Sequence, residues 1–548
     1  MITRVVKGNP PSSKLSQEDF TLSSVLITNS AKFDHESTDA NRLGEMMTLK
    51  RLVLGALTIL AIVFVIGDLV NSWSQPQFSS RLELYETDLL LQASEWKGDS
   101  PDARKPLPVD NPVKSALESY QKAQKTAQKD IASAEGKLEK FQLKTPVVGD
   151  SVMATNQLLK QKSLLKELEL RVGLLQTQQG QVPEALKTWA AIKARSNPTA
   201  ITAQVLSGLW SQPPLLLPNA EPQINKNLDG WFRYRALTQL YQLQQRSDAL
   251  DQLQTTEQQT SKQAFIRWAT ANAIPAIAVF SGVVLLIFLL GQWAVKGEHA
   301  LLSGTNGVKW SVPWNGEIIW QVLVVGFFFV GQILLPIVSQ STLATLKVNP
   351  ATLGERAKAT YYLVTYALLA AGGLSVLYLS IKSFLPLPDK WFHITLKGKW
   401  FWWGLGGYLA AFPLVIVVSL VNQQIWQGGG GSNPILPIAL EGKDSLAILI
   451  FFVTAAIAAP FFEEIFFRGF LLPSLTRYCS TWQAILLSSF LFAVVHLSLS
   501  EVIPLMTLGI VLGFVYTRTQ NLLASMLLHS LWNSGTLLSL FILGSGSS

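Results

Sequence analysis

Residues 445–468 read SLAILIFFVTAAIAAPFFEEIFFR, and how this stretch is read decides the fold. A bilayer core about 30 Å thick is crossed by about 20 apolar residues of helix, and this run is long enough. Its charged residues are Glu463, Glu464 and Arg468. An ionisable side chain at bilayer depth costs at least about 2.5–3.5 kcal/mol on insertion scales, so such groups pair or line a wet cavity. The stretch therefore reads as a transmembrane helix with a polar site built into it.

Working outward, apolar runs of spanning length lie near 52–70, 273–295, 318–339, 359–381, 400–424, 483–500, 502–517 and 521–543. Together with 445–468 they predict one isolated N-terminal span followed by a bundle of about eight. The expected fold is an all-α polytopic membrane bundle. Composition agrees: 49% of the 548 residues are hydrophobic and 15% are charged, against about 25% charged in ordinary soluble domains. The net charge is +8, without the dense Lys/Arg patch that nucleic-acid binding would need. A single cysteine, Cys479, excludes an intramolecular disulfide.

Charge is concentrated in 74–265, which holds 23 basic and 20 acidic residues, 43 of the 80 charged residues in the chain. The segment is rich in helix formers and reads as a soluble helical insert. The expected organisation is a polar tail over 1–51, a signal anchor over 52–73, the insert over 74–265, accessory spans over 266–399 and a core over 400–545. Within 172–198, Gly173, Gly180, Ala185, Trp189 and Pro198 sit close to the spacing of a tetratricopeptide hairpin, so the insert reads either as such a partner-binding module or as a plain helical bundle. Lys50 and Arg51 abut the first span. The positive-inside rule then predicts an inside N-terminus and an insert facing outward, towards a periplasm or lumen.

The polar residues inside the apolar runs concentrate near the C-terminal end. Glu464 and Arg468 are four apart, the spacing of a helix ion pair. Glu463 lies about 100° around the helix from Glu464. It is thus free to point elsewhere as a general base. His529 and Asn533 are also four apart on one face and could donate to one substrate oxygen. His496 comes from another span. A buried Glu–Arg pair alone, or a lone histidine, reads equally well as helix fastening. A double Glu, two His and an Asn on three spans read better as one site.

EExxxR at Glu463–Arg468, FxxxH at Phe492–His496 and HxxxN at His529–Asn533 resemble, in order and spacing, the three motifs of the CAAX protease and bacteriocin-processing (Abi) family of intramembrane proteases. The resemblance covers roughly residues 400–545. It implies an endopeptidase that hydrolyses a peptide bond inside the membrane, with a membrane or secreted polypeptide as substrate and membrane lipid around it. It further implies that Glu463 and His496 activate the attacking water and that His529 and Asn533 stabilise the oxyanion. Glu464 and Arg468 would support the Glu-bearing helix. The resemblance also admits zinc on Glu463, His496 and His529 with water in an open position. HExxH is absent, the candidate ligands are scattered one or two per span, and Asn is an uncommon zinc ligand. The expectation is therefore water activation with no cofactor required. The alternative is a non-catalytic scaffold that recruits a protein partner through the insert. A proton-coupled transporter is a third reading, weakened by the lack of an inverted repeat.

Overall fold

The computed structural model describes residues 49–73, 75, 77–98, 110–142, 148–193, 198–303, 308–349, 352–426, 428–433 and 435–544. The expected polar tail therefore lies outside the described residues except at its end, as does Pro434 of the glycine-rich segment GGGGSNP. Among the described residues all regular structure is helical. Among the described residues eight helices are long and apolar enough to cross a membrane. The chain is an integral, multi-pass membrane protein.

The first of these is α1, Leu49–Trp73. The insert follows as α2 (Phe78–Ser94), α3 (Pro112–Gln142), α4 (Val148–Gln178), α5 (Val182–Lys193), α6 (Pro198–Trp210), α7 (Ala220–Asn227) and α8 (Gly230–Leu243). Then comes α9, Ser247–Lys296, a single helix that starts polar and ends apolar. At 1.5 Å per residue it is about 75 Å long. It runs straight through the boundary expected near residue 265, because no helix breaker stands there. Pro275 lies within it. The remaining long helices are α10 (Gly316–Thr345), α11 (Glu355–Ile381), α12 (Trp400–Trp426), α14 (Ser445–Leu475), α16 (Leu499–Thr519) and α17 (Leu522–Gly544); the short α13 (Ile435–Glu441) precedes α14.

The span expected over 483–500 is instead α15, Thr481–Val494. It begins at Ser480, which makes a capping box with Gln483. Fourteen residues rise only about 21 Å, too little to cross a bilayer core. The sequence places His496 inside a span. It lies in the turn after α15, where Leu497 takes a positive φ of 56°.

In the insert, α4 and α5 form a tight hairpin whose turn residue Gly180 has φ +75°. Trp189 is buried, and its Nε1 donates to Leu170 O at 3.2 Å. A Cβ at Gly173 would lie 2.2 Å from that same Nε1. Small size at 173 is thus what lets the two helices touch. Gly173→Ala is expected to destabilise the insert by about 1–3 kcal/mol, the usual cost of overpacking. A tryptophan-fluorescence melt of the full chain in detergent, with the midpoint unchanged, would refute this. Arg171 binds Asp88 and Asp229, both at 2.9 Å, and so joins α2, α4 and α8.

The insert packs against the bundle through one shared core. Leu89 and Ala93 of α2, Ala264 and Ala271 of α9, Leu440 of α13 and Leu540 of α17 are buried together. The opposite ends of the helices are marked by Lys50 and Arg51, which bind Glu317 at the start of α10. On the insert side, the end of α1 is tied to the glycine-rich segment: Gly431 N donates to Gln75 O at 3.0 Å and Gln77 N to Gly428 O at 2.8 Å. That segment in turn holds the turn after His496, since Ser500 N donates to Gly430 O at 3.1 Å. Glycines suit this role, because Gly428, Gly430 and Gly431 all have φ above +70°.

Candidate active site

The site is organised by α14. Its backbone is α-helical apart from two widened π-type runs, Thr454–Ala458 and Glu464–Leu471. Such turns are rare and recur at functional sites. Pro460 accounts for the first, since proline has no N–H to continue the ladder. Ala459 N donates to Thr454 O, five residues back, so the carbonyl of Ala455 faces Pro460 and finds no backbone donor. Asn533 supplies one: its Nδ2 donates to Ala455 O at 2.7 Å. One Asn533 amide hydrogen therefore heals the helix, and the other remains for chemistry.

The two neighbouring carboxylates face different surroundings. Glu464 and Arg468 are fully buried and paired at 2.8 Å. Arg468 also donates to Gly509 O at 3.3 Å on α16, and its guanidinium lies 4.4 Å from the centre of the Phe492 ring on α15. This one cation therefore ties three helices together. Glu463 faces a cavity of about 410 Å³. Its Oε1 accepts from the Tyr366 hydroxyl of α11 at 3.2 Å. Its Oε2 is buried and has no hydrogen-bond partner among the described residues.

His529 bridges the two acids. Its Nδ1 lies 3.0 Å from Glu464 Oε1 and its Nε2 lies 3.9 Å from Glu463 Oε2. Glu464 is already the partner of Arg468 and so is a carboxylate acceptor. The proton of neutral His529 then belongs on Nδ1, which leaves a lone pair on Nε2. His496 lines the same cavity, with Nδ1 2.7 Å from Phe492 O. A carbonyl only accepts, so Nδ1 is the donor here, and in the neutral ring Nε2 carries the lone pair. The cavity thus joins Glu463, His496, His529 and Asn533, while Glu464 and Arg468 stand behind it. The resemblance pairs Glu463 with His496; in the structure the ring 3.9 Å from Glu463 is that of His529.

Two cavity residues were missed in the sequence, Tyr366 and Glu501. From Glu463 the cavity extends to Asn433, Ile435 and Leu436, next to the helix on which the insert packs.

Comparison with known proteins bears on the same helices. Residues 445–535 match the Rce1-like type II CAAX prenyl endopeptidase family. The matched segment runs from the start of α14 to just beyond Asn533 and contains all three motifs. A stretch of 139 residues is also 24% identical to the Bacillus subtilis (strain 168) protein "Putative membrane peptidase YdiL", covering 24% of this chain and 53% of that relative. The chain thus spans about half the length of the curated relative it matches. No solved structure matches. The family and the relative support a membrane protease. Helices α1 to α9 lie outside the family match.

Zinc, which the family resemblance admits, needs three protein donors about 2.0–2.3 Å from one point. Among the described residues no three His, Cys, Asp or Glu side chains come together in that way. Glu463 and His529 approach one another, and the Nδ1 contact with Glu464 would leave His529 Nε2 able to serve as a ligand, but among the described residues no third donor joins these two. As placed, this donor set does not fit a resident zinc ion.

Proposed function

We propose that the protein is an intramembrane endopeptidase in which Glu463 is the general base. The observation that carries this reading is the 3.9 Å gap between His529 Nε2 and Glu463 Oε2, a buried oxygen with no hydrogen-bond partner among the described residues. A water with legs of about 2.8 Å to both would subtend about 90°, close to its own H–O–H angle. It would donate one hydrogen to each acceptor and turn a lone pair to the cavity. Attack on the scissile carbonyl passes a proton to Glu463 as the carbon–oxygen bond forms. The free amide hydrogen of Asn533 stabilises the oxyanion, an interaction worth several kcal/mol of barrier in comparable sites. The carbon–nitrogen bond then breaks, and the departing amine takes its proton from Glu463, with His496 Nε2 as the second group able to relay it. Tyr366 holds the Glu463 carboxylate at its other oxygen. Glu464 and Arg468 fix the ring of His529.

The substrate on this reading is a membrane or secreted polypeptide. With Lys50 and Arg51 inside, it reaches the cavity from the outer, insert-bearing face. The test is hydrolysis of a peptide library by the full chain in detergent, run in ¹⁸O-labelled water. One ¹⁸O is expected in each newly formed carboxyl group. Activity is expected to persist after exhaustive treatment with EDTA and phenanthroline. Loss on chelation with recovery on adding zinc would replace the metal-free mechanism. No cleavage of any peptide would favour a scaffold.

A further inference from the structure

The cavity contains a second carboxylate that the hydrolytic step does not use. Glu501 stands in the first turn of α16, on the same wall as His496. Its Oε1 accepts from the backbone N–H of Asn433 at 2.8 Å, and the residue lines the cavity. Around it the wall is largely apolar, with Leu436, Leu505 and Trp532. Among the described residues no Lys or Arg lines the cavity; its basic side chains are His496 and His529, and His496 is an electrostatic neighbour of Glu501. Glu463 is the other carboxylate on this cavity. Two carboxylates on one cavity whose described lining lacks Lys and Arg favour a ligand that brings positive charge, because the desolvation of each ion is then offset by the other.

We propose that Glu501 is a specificity residue that receives a cationic group of the substrate, so that bonds near a Lys or Arg are selected. A flexible lysine or arginine stem can lie along the apolar wall while its charged head reaches Glu501. This rests on the protease reading above and names the kind of polypeptide it acts on.

Paired peptides separate the charge of Glu501 from its structural bond. One peptide carries Lys near the scissile bond, and the other carries norleucine, which has a similar stem and no charge. Wild type is expected to favour the Lys peptide in kcat/KM by about 10- to 100-fold, the worth of a hydrogen bond to a charged group. Glu501→Gln keeps an oxygen for Asn433 N–H, and it should bring the ratio close to one. Glu501→Lys should reverse the order in favour of a Glu-containing peptide. Because each ratio is taken on one preparation, loss of folded protein cancels. Equal rates for both peptides in wild type, or a preference that survives Glu501→Gln, would overturn the proposal. If neither peptide is cleaved, fluorescence anisotropy of the same labelled pair decides. Tighter binding of the Lys peptide that Glu501→Gln removes would keep the cation site while the protease reading falls. Equal binding would remove the site as well.

Discussion

Replacing Glu463 by Gln is expected to lower kcat by about 10²- to 10⁴-fold, the usual contribution of a positioned general base, with KM close to wild type. Gln preserves shape and still accepts a hydrogen bond from Tyr366, so the bundle should remain intact. What it removes is the ability of Oε2 to take a proton from the water. A fall in kcat and kcat/KM by the same factor marks an interaction made in the transition state and not in the ground state. Product analysis by mass spectrometry with the same peptide library checks this, alongside a melt showing unchanged stability. Near-wild-type hydrolysis by Glu463→Gln would remove Glu463 from its role. The water would then have to be sought at His496 or Glu501.

Much of this arrangement was legible in the sequence because the membrane is so restrictive a solvent. Glu464 and Arg468 could be matched from their spacing alone, since two such charges in an apolar run have few other ways to be tolerated. Gly173 and Trp189 stood out only as positions of a tetratricopeptide-like spacing, and the fold is what sets the glycine against the ring. Other features were hidden. Tyr366 looks like any aromatic residue in an apolar span, and only the fold brings its hydroxyl 3.2 Å from Glu463. Glu501 fell between two expected spans, because the apolar run 483–500 was read as a full crossing when its helix stops at Val494. That early stop also moves His496 into a turn. The double duty of Asn533 follows from Pro460. The missing N–H at 460 leaves the Ala455 carbonyl without a backbone partner, a consequence that requires knowing how the turns of α14 are wound.

Arg468→Met is the change expected to cost the most stability. The guanidinium is fully buried and so is its partner Glu464. Removing one member of a buried ion pair leaves the other uncompensated, at about 3–5 kcal/mol. Arg468 also holds Gly509 O on α16 and packs on Phe492 of α15, so the loss should loosen three helices at once. The expected readout is a sharply lower melting midpoint in detergent and earlier labelling of Cys479, which is half-buried in the native state. The double variant Glu464→Leu/Arg468→Met separates charge from packing. Exchanging a whole buried pair for apolar residues is often neutral, so it should recover most of the lost stability. Activity should nevertheless stay low. His529 would have lost the acceptor that keeps its proton on Nδ1 and its lone pair turned towards Glu463. If the double variant were as active as wild type, Glu464 would only fasten helices, and the orientation of His529 would have to come from elsewhere. If Arg468→Met alone melted like wild type, the buried pair would not be the fastening that the structure draws.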